Sequence, residues 1–201
     1  VFYAIDLDGY VQALGGEDVF VQPKALAPYI MEDYDPEWEK WDNYQTVKGG
    51  MEKAKEYLEK SSYNGETISL YCEPYNSTPA EVIQSMLMQI GIKKVEINAL
   101  DQANYEEVRN STSGWDLCIQ RMAGDNVAVF AQHLWDTKNT KHGLTYNHID
   151  DPEWQDMLEL ILTEDGHTSE NMGTWMKHAY DNAYCMALHT DVNYIISRDF
   201  I

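Results

Sequence analysis

Glu66-Thr67-Ile68-Ser69-Leu70-Tyr71-Cys72 is the stretch from which the fold can be read. Ile68, Leu70 and Cys72 fall on one side of a period-two alternation and Thr67, Ser69 and Tyr71 on the other, which predicts a half-buried strand. Thr78-Pro79-Ala80-Glu81 then reads as a helix start, with a capping residue, Pro at the first helical position and Glu three residues after the cap. Val82, Ile83, Met86 and Ile90 line the apolar face of that helix, predicted over 78–91, and Gly91 ends it. A second strand is predicted over 94–100, with Val95, Ile97 and Ala99 inward. A short helix follows over 101–110 and a third strand over 115–121. Strand, helix, strand, helix, strand at this spacing is a βαβαβ unit, for which parallel strands and right-handed crossovers are expected.

Upstream, residues 1–14 are expected to form one helix with Phe2, Ile5, Val11 and Leu14 inward, stopped by Gly15-Gly16. Pro23, Pro28 and Pro36 make 17–36 a loop-like crossing, and Met51, Ala54 and Leu58 share one face of a helix over 48–60. Downstream, the chain reads as irregular from Asp125 to Asp151. There Asp151-Pro152-Glu153 opens a helix bearing Trp154, Met157, Leu158 and Ile161. A last helix from about Ser169 carries Met172, Trp175, Met176, Ala179 and Ala183, and residues 186–196 read as a final strand. No internal repeat or low-complexity linker divides the sequence, so 1–201 is expected to be a single α/β domain.

The charge narrows the function. The 34 acidic residues outnumber the 14 Lys and Arg, for a formal charge of -20. That field repels phosphate backbones and argues against nucleic acid as a partner; it also disfavours anionic lipid. Mean hydropathy is -0.51, and no apolar run approaches the ~20 residues of a membrane span. Cys72, Cys118 and Cys185 are too widely spaced for a zinc rhythm, leaving one cysteine pair or three buried thiols as the alternatives.

Catalytic patterns are missing from the sequence. His133, His142, His148 and His167 cluster in the polar stretch without HxxxH or HxH spacing, so solvent-exposed or locally bonded histidines are expected, and no metal or other cofactor. Gly-x-Ser-x-Gly, GxGxxG and GxxxxGKT do not occur. One carboxylate stands apart. Asp125 follows the third strand in Gln120-Arg121-Met122-Ala123-Gly124-Asp125, and ligands of open α/β sheets bind at the carboxyl ends of strands. It could receive a cationic group such as an α-ammonium, or it could cap a helix or sit in a surface turn. Trp38, Trp41 and Trp135 are candidates to face a cleft, and Trp115 is expected in the core.

The order of these motifs resembles a known family. YAIDLDGYVQALGG (3–16), YDPEWEKW (34–41), GMEKAKEYLEKSSYNG (50–65), ISLYCEPYN (68–76), AEVIQSMLMQIGIKKVEI (80–97), WDLCIQRMAGD (115–125) and HIDDPEWQDML (148–158) are similar, in sequence order, to segments of bacterial extracellular solute-binding proteins of family 5. These are the peptide- and nickel-binding components of ABC importers. The resemblance implies a periplasmic-binding-protein-like lobe of type II. It covers the second lobe only, and both chain ends read as internal to a longer protein. It implies a short peptide bound between two lobes, docking on a membrane permease, and an extracytoplasmic location. The alternatives are another solute (a nickel chelate or oligosaccharide) on the same fold, or a small α/β hydrolase or sensor domain. By position in the family's "GWGAD" motif, Asp125 stands where peptide-binding members receive the peptide's amino end. Arg121, Met122, Ala123 and Gly124 complete the implied ligand-binding set, Met122 replacing the Trp and Arg121 the first Gly.

Overall fold

The computed structural model describes residues 1–109, 111, 114–121, 124–135, 149 and 151–192, with the backbone alone at 133–135. In chain order its elements are α1 (Leu7–Ala13), β1 (Phe20–Val21), α2 (Met51–Lys60), β2 (Ile68–Cys72), α3 (Ser77–Gln89), β3 (Val95–Ala99) and α4 (Gln102–Arg109). After these come β4 (Leu117–Cys118), α5 (Val127–Trp135), α6 (Pro152–Ile161), α7 (Ser169–Asp181) and β5 (Thr190–Asp191). The central sheet is parallel in the order β3-β2-β4, with Ile68 opposite Val95, Cys72 opposite Ala99 and Tyr71 opposite Cys118. This is the βαβαβ arrangement that the alternating pattern predicts. A second, antiparallel pair joins β1 to β5, with Phe20 opposite Asp191.

The apolar residues gather into two clusters. Leu70 and Cys72 of β2 pack with Ile83 and Leu87 of α3 and with Tyr10 and Val11 of α1. Trp154, Leu158 and Ile161 of α6 meet Met172, Trp175 and Met176 of α7, with Val127 and Ala131 of α5. Trp154 and Trp175 stack with centroids 5.3 Å apart, and the Trp154 indole N–H donates to the Trp175 carbonyl at 3.1 Å, so burying that polar atom leaves no orphan donor. Phe2, Tyr3 and Met186 pack against both clusters.

Several local expectations are corrected. Residues 1–14 do not form one helix: a 3-10 turn at Phe2–Ala4 is separated from α1 by Ile5 and Asp6, whose ψ values of 99° and 102° are extended. The Thr78 capping box does not form. A 3-10 turn at Pro74–Asn76 runs directly into α3, which leaves Thr78 inside the helix with no start to cap. Ala99 is exposed, and β4 is confined to two residues of the 115–121 expected. β1 lies in the segment read as a loop, and of the tail strand expected over 186–196 the described part is β5, with 193–201 outside the described residues. Helix α5 occupies sequence read as irregular. Val-Ala-Val-Phe-Ala is apolar on all sides and so has no stripe for periodicity to detect. Trp38 is 2% exposed within the second cluster, and Trp115 is partly exposed, the reverse of what was expected. Trp41 is half-buried against Gly173 and Tyr180, and the Trp135 side chain lies outside the described residues.

Candidate functional site

A cleft of about 1060 Å³ opens beside β4. Residues 115–121 line one side without interruption and residues 183–191 line the other. The turn leaving β2 contributes Tyr75 and Asn76, and the turn leaving β4 contributes Arg121 and Gly124. Because β2 and β4 are parallel neighbours, both turns lie at the carboxyl end of the sheet, where side chains of an open α/β fold converge on ligands.

The loop between β4 and α5 is held from three directions. The Asn126 side chain accepts from the Val129 N–H at 2.9 Å and so caps α5. Asp33, from the proline-rich crossing, accepts the Val127 N–H at 2.9 and 3.1 Å and faces His167 Nε2 at 3.2 Å. Gly124 lies so close to α5 that a Cβ there would stand 2.9 Å from the Phe130 Cβ. Asp125 occupies this fixed loop next to Gly124, outside the residues that line the cleft, is exposed, and has no hydrogen-bond or ion-pair partner among the described residues. The capping role that competes with ligand binding for Asp125 is filled by Asn126 and Asp33. Met122 and Ala123 lie outside the described residues.

Arg121 is more elaborately placed than the sequence suggests. Its guanidinium meets Asp191 Oδ2 at 2.7 Å, and Asp191 Oδ1 stands 3.5 Å from His189 Nε2. His189 Nδ1 is 3.0 Å from the Tyr10 hydroxyl. Nε2 faces the Asp191 carboxylate, and the Nδ1–hydroxyl bond to Tyr10 can run in either direction, since both groups can donate or accept. Burial lowers the His189 pKa against the opposing pull of Asp191, and burial raises that of Tyr10, so both are neutral near pH 7. The His189 ring lies between Phe20, 4.5 Å away between centroids, and Tyr10, 5.7 Å away. Tyr10, His189 and Asp191 escaped the sequence reading because a contact across 179 positions leaves no local periodicity.

Of the four histidines expected to be exposed or locally bonded, His167 bonds the Ile161 carbonyl and faces Asp33, while His142, His148 and the His133 side chain lie outside the described residues. No group of potential metal ligands occurs among the described residues.

No protein-family model and no curated protein matches the sequence. Among solved structures, the fold is similar to the ABC transporter substrate-binding protein CtaP from Listeria monocytogenes, with a TM-score of 0.73 and 14% identity over 94% of this chain and 38% of that one. It is similar to AgaA from A. tumefacien R10, solved in complex with agropinic acid (TM-score 0.71, 18% identity, 94% of this chain, 39% of that one). It is also similar to the oligopeptide-binding protein AppA from Bacillus subtilis, solved with a nonapeptide (TM-score 0.66, 17% identity, 90% of this chain, 38% of that one). The chain therefore has the α/β fold of a portion of these substrate-binding proteins, and spans well under half the length of each.

Proposed function

We propose that these 201 residues form the second lobe of an extracytoplasmic substrate-binding protein of family 5. In this reading the lobe supplies one wall of a cleft that closes on a short peptide and delivers it to an ABC permease. Its role is binding rather than catalysis. The observation that carries the reading is Asp125: an exposed carboxylate, free of capping duty, on a braced loop at the carboxyl end of a parallel sheet. Such a group suits an α-ammonium, and rigid placement lowers the ordering cost on binding.

The test is calorimetric titration of the whole protein and its Asp125→Asn variant with peptides bearing free or acetylated amino ends. The variant should bind free-amine peptides roughly 10- to 100-fold more weakly and leave acetylated ones unaffected, as expected for loss of one charge-assisted bond. Equal losses for both series would assign Asp125 a structural role.

A second reading keeps the fold and the cleft but gives it another solute. The agropinic acid complex of AgaA is an instance of the same fold with a ligand of a different kind.

A further inference from the structure

We propose that Arg121 is the carboxylate-recognition residue of this cleft, held in place by Asp191, His189 and Tyr10; the inference rests on the reading of the cleft as a peptide site. Among the described residues Arg121 is the one Lys or Arg that lines the cleft. In a chain of formal charge -20 a ligand carboxylate is repelled almost everywhere, so a cation lining the cleft at the carboxyl end of the sheet is a point where such a group can be stabilised. The side chain is 64% exposed, and Asp191 engages one of its nitrogens, at 2.7 Å. A guanidinium has five N–H donors in a planar fork, so this contact leaves donors for a second carboxylate.

The supporting chain decides where that fork points. Tyr10, fully buried, bonds the His189 ring; His189 faces one Asp191 oxygen, and the other Asp191 oxygen engages Arg121. Tyr10, His189 and Asp191 are positioning residues, since they reach the ligand only through Arg121. A second observation points to a missing acceptor nearby. Asn76 lines the same cleft at 6% exposure, and its Nδ2 has no hydrogen-bond partner among the described residues. A buried amide donor without an acceptor is costly, and this one stands in the wall of the cleft. One carboxylate stands close by on the same turn: Glu73 accepts from the Tyr75 hydroxyl at 2.7 Å, and its charge steers a ligand carboxylate toward Arg121 rather than toward Tyr75.

The experiment titrates the whole protein with a library of short free-acid peptides and their C-terminally amidated counterparts. The variants are Arg121→Met, Arg121→Lys and His189→Phe. In the unmodified protein, amidation should weaken binding by roughly 10- to 100-fold, the range for a bond to a charged group. Arg121→Met should erase the difference between the two series, and Arg121→Lys should retain part of it. His189→Phe keeps the ring contacts and should reduce the difference without changing amidated-peptide affinity. Matching circular dichroism and melting temperature exclude a folding defect. Equal binding of both series by the unmodified protein overturns the proposal, as does an Arg121→Met loss shared by both. If acetylation still matters through Asp125 while amidation does not, only this inference falls. If no peptide binds in either form, the peptide reading falls and this inference with it.

Discussion

The side-chain amide of Gln45 pairs with both backbone groups of Ala187: its Nε2 donates to the Ala187 carbonyl at 2.7 Å, and its Oε1 accepts the Ala187 N–H at 2.9 Å. The same Nε2 donates to the Pro23 carbonyl at 3.1 Å. One buried side chain therefore takes the place of a strand neighbour for the cleft wall at 183–191 and ties it to the proline-rich crossing.

Gln45→Leu should destabilise the protein by about 3 kcal/mol or more, because an unsatisfied buried polar group costs about 1–3 kcal/mol and three groups, two of them only part-buried, lose their partner. Gln45→Glu should be worse at pH 7, since it keeps the acceptor for Ala187 but sets a carboxylate against two carbonyls. Urea unfolding at pH 7 and pH 5 checks this, with the gap between the two variants narrowing at pH 5 as the introduced carboxyl gains a proton and a donor.

Gly124→Ala should weaken peptide binding although it leaves Asp125 intact. The added methyl would meet the Phe130 Cβ at 2.9 Å and its Cα at 3.1 Å, and α5 is fixed by its caps, so the loop must yield. Overpacking of this kind costs about 1–3 kcal/mol. Titration with free-amine peptides beside a thermal melt separates displacement of Asp125 from general destabilisation.

Asp151 joins three elements. Its Oδ1 accepts the Glu153 and Trp154 N–H groups at the start of α6, and its Oδ2 meets His178 Nε2 at 2.6 Å and the Tyr184 hydroxyl at 2.5 Å. The Tyr184 bond first, and then His178, depress its pKa to about 2. A carboxyl that binds protons less readily when folded than when unfolded stabilises the fold above its unfolded pKa, near 3.9, and withdraws that support as pH falls toward 2. Asp151→Asn should therefore flatten the loss of melting temperature between pH 4 and pH 2. It should cost about 1–2 kcal/mol at pH 7 through the weakened cap and contacts.

All three thiols should resist alkylation in the native state. Cys72 is fully buried, burial pushes Cys118 up to about 12, and burial raises Cys185 as well. The thiolate is the reactive form, so iodoacetamide at pH 8 should label none of them quickly, and all three once urea unfolds the chain.

The strands and helices from 66 to 118 were legible in order and type because most carry their own period, although the boundaries of α3 and β4 were not. Ile68, Leu70 and Cys72 alternate, and Asp151-Pro152 announces α6. Signals fail where a segment is uniform or its partners are distant. Val127 to Ala131 has no polar face to mark a helix, although Asn126 ahead of nine residues without Gly or Pro was a usable cue. Trp38 sits in an acidic, irregular stretch, and its burial depends on Tyr34, Trp41 and α7 closing around it. Of the proposed site, Asp125 was readable from its place after a strand. Arg121 was quoted without its supports, because Asp191 is 70 positions away and His189 carries no motif.

Phe2, Tyr3 and Met186 touch both apolar clusters, and this gives the protein a seam. Amides of β2 and α3 should exchange with deuterium in one cooperative group and those of α6 and α7 in another. These three side chains are contacts that the two groups share. Oxidising the Met186 thioether would make that joint polar and let one half open while the other remains closed.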